Sequence, residues 1–219
     1  MGRILSPGKF ELWTGCMFSN KTIKMLARKA QINYSVYNSL LIGSGRDTRY
    51  AENESEINLL KSHPGSTLTY KEKIIRISDE LPEKIIEYIN EAKNKKIHAV
   101  FIDELQFFSG KTETSIGIVR VIEKLLKEMD MHVFGNGLNL DYRQNYFGQM
   151  KYLIDMADEV HYEYATCELC RNMEARYGFR KKPLEELVVA GGKDLYGVAC
   201  GKCYEKYTYE GVLKKQNNS

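Results

Sequence analysis

Residues 10–22 read Phe10-Glu11-Leu12-Trp13-Thr14-Gly15-Cys16-Met17-Phe18-Ser19-Asn20-Lys21-Thr22, and this stretch decides the fold. Phe10 to Gly15 is predicted to form a short strand ending in glycine. A helix is predicted to follow, with Ile23, Leu26 and Ala30 on one face. Gly15 to Thr22 matches G-x-x-x-x-G-K-[ST], except that Asn20 stands at the second glycine. The backbone N–H groups of such a loop cradle phosphate oxygens at a helix N-terminus. In that reading Lys21 neutralises the β- and γ-phosphates of ATP, and the Thr22 hydroxyl reaches Mg²⁺. Asparagine is one of the few residues that tolerates positive φ, so Asn20 weakens the match without destroying it. The plain alternative is a strand–turn–helix whose helix happens to start with lysine.

Outward from this loop the chain alternates strands and helices. Residues 34–42 are expected to form a second strand, and 43–69 to be irregular. A helix is expected over 82–95, with Pro82 near its first turn and Ile85, Ile86 and Ile89 buried. Ile97 to Ile102 is an apolar run of the length and β-branched content of a buried parallel strand. An amphipathic helix over 114–129 and a strand at His132–Gly135 follow. This alternation implies an α/β fold, a doubly wound and mainly parallel sheet. From about Asp158 short strands, cysteines and glycines suggest a small β subdomain, giving a division into 1–157 and 158–219.

Asp103-Glu104 closes the apolar strand. Ligands of open α/β sheets sit at the carboxyl ends of strands, and an acid at this place in phosphate-loop enzymes holds Mg²⁺. A second Gly-Lys-Thr, within Ser109 to Thr112, lacks the required earlier glycine, since Leu105 stands there; it reads as an ordinary loop.

Four of five cysteines form two Cys-x-x-Cys pairs, Cys167/Cys170 and Cys200/Cys203. Such knuckles can close a tetrahedral Cys₄ zinc site, and with four protein ligands the zinc is structural. Free thiols or a redox pair are the alternative. Cys16, the fifth, lies in the phosphate loop. Net charge is +3 with the signs interspersed, too mild to imply nucleic-acid binding, and the basic residues near the knuckles lack regularly spaced stacking aromatics. No apolar run is long enough to span a membrane and no secretory signal is visible, so no membrane partner and a cytoplasmic location are expected.

Taken together these motifs resemble the thymidine kinase family of animal cytosol, bacteria, poxviruses and phages. Its loop, G-P-M-F-S-G-K-[ST], corresponds to Gly15 to Thr22. Its D-T-R-Y is Asp47-Thr48-Arg49-Tyr50, its S-H is Ser62-His63, and its D-E-x-Q-F-F is Asp103 to Phe108. Its G-L-D-x-[DT]-F and F-G are Gly137 to Tyr142 and Phe147-Gly148. Its G-G-x-D-x-Y between the knuckles is Gly191 to Tyr196. The matches run in order from about residue 10 to 204.

The resemblance implies transfer of the ATP γ-phosphate to the 5′-hydroxyl of thymidine or a related deoxypyrimidine nucleoside. Glu104 looks like the general base, Lys21 and Arg49 like further catalytic residues, and Thr22, Asp47 and Asp103 like the Mg²⁺ side. Residues from about 137 resemble the family's lasso loop. Met17, Phe107, Leu138, Tyr142, Phe147, Tyr177, Val189 and Tyr196 then resemble the nucleoside pocket. A homotetramer and feedback binding of thymidine triphosphate are also implied. The chain departs from the pattern at Asn20, at Cys16 (usually proline), at Tyr142 (usually Phe) and at Gly178 (usually Ser/Thr). These departures leave two alternatives: a turnover-deficient binding relative, or a kinase with preference for 5-modified pyrimidines.

Overall fold

The computed structural model describes residues 8–35, 37–46, 58–61, 71–92, 96–108, 117–181 and 194–207. Its centre is a six-stranded sheet. Strands β1 (Phe10–Gly15), β2 (Asn38–Ser44), β5 (Ile75–Ile77), β6 (Ile97–Asp103), β7 (His132–Leu138) and β8 (Glu159–Glu163) lie in the order β5-β2-β6-β7-β1-β8. Every pairing in it is parallel. Two small antiparallel pairs complete the strands: β3 (Leu59–Lys61) with β4 (Lys71–Lys73), and β9 (Tyr177–Arg180) with β10 (Tyr196–Ala199).

Helices cover both faces, which is why the central strands are apolar on both sides. On one face α2 (Lys84–Glu91), α3 (Gly117–Lys127) and α4 (Met150–Met156) bury Ile85, Ile118, Ile122, Leu125, Met150 and Leu153 against Leu12, Val100, Ile102 and Val133. On the other, α1 (Lys21–Tyr34) lays Met25 and Ile32 on Trp13, Leu41, Phe101 and Phe134. The alternation of Val100 and Ile102 with Ala99 and Phe101 is the period of two of a strand. Phe101 and Phe134 stack with ring centroids 4.5 Å apart; truncating either to alanine costs about 3–5 kcal/mol.

Several elements depart from expectation. The second strand begins at Asn38, not Tyr34: Tyr34 ends α1 and is 94% exposed, and the Ser35 hydroxyl closes the helix on the Gln31 carbonyl at 3.0 Å. The strand then continues through Gly43 and Ser44, and β3 occupies Leu59–Lys61, inside the stretch expected to be irregular. The buried face of α1 is Lys21, Met25, Lys29 and Ile32, with Ala30 exposed. Lys29 joins it because its stem packs while its ammonium bonds Glu72 at 3.0 Å. The helix expected from residue 82 begins at Lys84, and Ile86 and Ile89 are only partly buried. Strand β7 runs past Gly135 to Leu138: a Cβ on Gly135 would lie 2.4 Å from Leu105 Cδ1, so glycine there serves close packing and not a turn.

Glu159–Glu163, expected beyond the main domain, adds the parallel edge strand β8 beside β1. At the opposite end of β1, Glu11 is 3% exposed, with Arg28 Nη2 at 3.1 Å, His132 Nε2 at 3.5 Å and Lys9 Nζ at 3.6 Å. Burial opposes its ionisation, but hydrogen bonds from His132 and Arg28, with the charges of Arg28 and Lys9, outweigh burial and hold its carboxyl at about 2.

Candidate active site

The site grows from the carboxyl end of β1. Gly15 has φ +141°, and a Cβ there would lie 2.1 Å from the Glu163 carbonyl oxygen, so only glycine lets the chain pass the edge strand. The loop then turns through left-handed conformations at Phe18 (φ 62°) and Asn20 (φ 62°, ψ 21°). Asn20 therefore sits in the left-handed region, which glycine enters freely and asparagine tolerates. Its carbonyl accepts the Lys24 N–H at 3.1 Å and opens α1. The Ser19 hydroxyl donates to the Cys16 carbonyl at 2.8 Å; Lys21 Nζ donates to the same carbonyl at 2.6 Å and to Ser19 Oγ at 3.3 Å. Cys16 is tied into the turn. Its buried thiol donates to the Ala175 carbonyl at 3.2 Å, and burial pushes its pKa up.

Strand β6 brings the acids alongside. Thr22 Oγ1 donates to Asp103 Oδ1 at 3.2 Å. Asn136 Nδ2, on β7, donates to the same carboxylate oxygen at 2.6 Å and lies 3.4 Å from Thr22 Oγ1. The Asn136 side-chain Oδ1 accepts the Glu104 N–H at 3.3 Å. Glu104 itself is left-handed (φ 58°, ψ 48°), a strained position for a residue with a long side chain. The Gln106 amide donates to Glu104 Oε2, and Gln106 Oε1 accepts the Leu138 N–H at 3.0 Å. Gly148, at φ +55°, packs so close to Gln106 that a Cβ would meet its carbonyl oxygen at 2.3 Å. Gln106 thus touches Glu104 and both ends of the 138–148 loop.

That loop is internally ordered. Asp141 Oδ1 accepts the N–H groups of Arg143 (2.8 Å) and Asn145 (3.0 Å), Leu140 bridges Tyr146, and Phe147 N–H donates to the Asn139 carbonyl at 3.0 Å. Phe107 and Phe147 meet edge to face at 5.6 Å. Tyr142 and Tyr196 share the guanidinium of Arg180. Met17 and Phe18 pack on the small cluster of Cys16, Ala165, Cys167, Ala175, Phe179, Val198, Ala199 and Cys200. Tyr177 stacks on Tyr204, 5.0 Å away. A Cβ at Gly178 would meet nothing within 4 Å.

Asp47, Arg49, Ser62-His63, Val189 and the second Gly-Lys-Thr lie outside the described residues. The strand end leading to Asp47 is anchored: Ser44 Oγ donates to Asp79 Oδ1 at 2.5 Å, and Arg46 Nε lies 2.6 Å from Asp79 Oδ2. Burial raises the pKa of Asp79 despite these partners.

The four thiols of Cys167, Cys170, Cys200 and Cys203 lie within 4.8 Å of one another, with Cys170 and Cys200 at 3.7 Å. A tetrahedron of Zn–S bonds of about 2.3 Å needs sulfurs about 3.8 Å apart, so the cluster can hold zinc. Burial opposes ionisation of Cys167, but N–H groups of Cys170, Cys200 and Leu169 aimed at its sulfur hold it down to about 6. Among the described residues no helix is long and apolar enough to cross a membrane.

Two site residues escaped the sequence reading. Asn136 sits in Gly-Asn-Gly, which reads as a turn. Gln106 was visible only as part of a motif, with no sign of the two partners its amide joins.

Comparison with known proteins adds the family. A family model described as thymidine kinase matches residues 8–204. The chain is 32% identical over 203 residues to the thymidine kinase of Mesoplasma florum, covering 90% of this chain and 92% of that one. It is 30% identical over 207 residues to that of Coprothermobacter proteolyticus, covering 92% and 93%. With that of Roseiflexus castenholzii it shares 28% identity over 214 residues, covering 94% and 98%.

Proposed function

Because this chain belongs to the thymidine kinase family, we propose that Glu104 takes the proton of the thymidine 5′-hydroxyl as that oxygen attacks the γ-phosphorus of ATP. The chain is a thymidine kinase; its reaction yields thymidine monophosphate and ADP. The observation that carries the role of Glu104 is the bond from Thr22 to Asp103. It joins the start of α1, where phosphates bind, to the strand end that bears the base.

Phosphoryl transfer asks the protein mainly to position groups and stabilise charge. Residues Gly15 to Thr22 hold the phosphates of ATP through their N–H groups. The Lys21 ammonium, now on the Cys16 carbonyl, exchanges that contact for phosphate oxygens. The Thr22 hydroxyl and the Asp103 carboxylate are hard oxygen donors side by side, the set that Mg²⁺ prefers, and Asp47 joins them. When bound, the ion neutralises charge on the β- and γ-phosphates. Arg49 offsets charge that develops in transfer. Met17, Phe107, Leu138, Tyr142, Phe147, Tyr177, Val189 and Tyr196 enclose the nucleoside, with residues 137–148 as the closing loop.

Residues 158–219 make a structural zinc subdomain beside a kinase domain of residues 1–157, a reading supported by the cluster of Cys167, Cys170, Cys200 and Cys203. Thymidine triphosphate occupies the nucleoside pocket as a feedback ligand, the chain assembles as a homotetramer, and it works in the cytoplasm. The feedback ligand and the tetramer rest on family resemblance, and the location on the sequence pattern. The backbone of Asn20 is one that asparagine tolerates, and the thymidine kinase family match supports the active reading over a turnover-deficient relative.

The test is ADP release from ATP, Mg²⁺ and thymidine, beside Glu104→Gln. Turnover by the wild type and a loss on the order of 10²–10⁴-fold in the variant are expected. Equal rates would overturn the role of Glu104. A wild type silent with thymidine and with other deoxynucleosides would overturn the activity.

A further inference from the structure

Arg180 ends β9, and the register of the β9–β10 pair sets Tyr196 directly across from it. Its Nη2 donates to the Tyr196 hydroxyl at 3.2 Å, and its guanidinium carbon lies 5.5 Å from the centre of that ring. A further contact is with a different part of the molecule: the guanidinium lies 4.0 Å from the centre of the Tyr142 ring, in the 138–148 loop. Arg143 reaches the same tyrosine from its own loop, with Nε donating to the phenol oxygen at 2.9 Å. A second tether runs parallel to the first, Gln144 Nε2 donating to the Gly178 carbonyl at 2.8 Å.

A flat guanidinium can lie against one aromatic ring while bonding the edge of another. An ammonium, a hydrated point charge, cannot do both. The hairpin that carries Arg180 is itself held by the cysteine cluster. Glu168 N–H donates to the Val198 carbonyl, Arg176 N–H to the Ala199 carbonyl, and Cys200 directly follows β10. Gly178 shares the face of β9 with Arg180 and presents no side chain. The span from hairpin to loop is therefore bridged by the reach of Arg180 and by Gln144.

We propose that Arg180 is a positioning residue for the nucleoside pocket: it latches Tyr142 to Tyr196 and so fixes the 138–148 loop in the place set by the cysteine-bound hairpin. The latch acts through Tyr142 and touches neither the acidic pair nor the phosphate loop in the contacts described above. This rests on the reading that the loop encloses the nucleoside.

The experiment uses the full zinc-loaded chain as wild type, Arg180→Ala and Arg180→Lys, the lysine form keeping charge and bulk. Amide hydrogen exchange over 139–147 is measured in free protein, and KM for thymidine, KM for ATP and kcat at steady state. In both variants exchange should accelerate about tenfold and KM for thymidine rise about tenfold. KM for ATP should hold, and kcat should fall by less than KM rises. Unchanged exchange in both variants would overturn the latch. Faster exchange with an unmoved KM for thymidine would overturn the positioning role through the other premise, showing that this loop does not shape the nucleoside site. An equal rise in both KM values would reduce Arg180 to a general structural residue and overturn the proposal as well.

Discussion

Thr22 Oγ1 and Asp103 Oδ1, 81 residues apart in the chain, lie 3.2 Å apart across the mouth of the phosphate loop. The Asn136 amide bonds the same carboxylate oxygen and lies 3.4 Å from the hydroxyl, steadying both. Asp103→Asn keeps the shape and removes the charge. It should lower kcat/KM for ATP on the order of 10²–10³-fold. Thr22→Ala should cost less, and the double variant should cost less than the two combined, because they act as one unit. Steady-state kinetics at saturating thymidine checks this; full additivity would mean that the pair is not coupled.

Asn20 is held at φ 62°, which asparagine tolerates and β-branched residues do not. Asn20→Gly should be neutral or raise stability by about 0.5–1 kcal/mol, whereas Asn20→Val should cost about 1–2 kcal/mol. Thermal unfolding followed by circular dichroism separates them. A valine variant as stable as wild type would mean that the loop does not hold this conformation.

The cysteine cluster should carry one zinc per chain by elemental analysis. Chelation, or Cys167→Ser, should remove it and lower stability by several kcal/mol, since the small core of Ala175, Phe179 and Val198 is built around the cysteines. Because Cys16 and Met17 belong to or pack on that core, ATP binding should weaken along with the metal. Retention of full ATP affinity without zinc would refute that link.

Glu11 supplies a pH dependence. Its folded value of about 2 lies below the ordinary 4.5, so its contribution is present above about pH 4.5 and is lost as pH falls toward 2. The size is on the order of 3 kcal/mol. Glu11→Gln should lose this stability at neutral pH and show a flatter decline between pH 5 and 2. Urea melts across that range give the comparison, and parallel curves would argue against it.

What was legible in the sequence follows from how local the causes are. The loop after β1 and the apolar run of β6 announce themselves because their chemistry and their spacing coincide. Tyr34 misled because its β propensity competes with a helix that continues two turns past Ala27, and only tertiary packing decides. The buried face of α1 was misread because a lysine stem occupies one of its positions. Asn136 was hidden between two glycines that serve close packing, as Gly135 against Leu105 shows. The edge strand β8 carries two glutamates and a histidine, and nothing local reveals that it pairs with a strand some 150 residues earlier. Arg180 has meaning only through partners in two other segments.

Gln106 links two events that would otherwise be separate. An amide has one donating end and one accepting end, and both are used: the nitrogen on Glu104, the oxygen on the backbone of Leu138. Turning it over would set an oxygen against the carboxylate and a nitrogen against an N–H, two repulsions at once. One side chain therefore ties Glu104 to the first residue of the loop. On the proposed reading, in which Glu104 is the base and residues 137–148 close over the nucleoside, one amide both aligns the base and holds the near end of the closing loop.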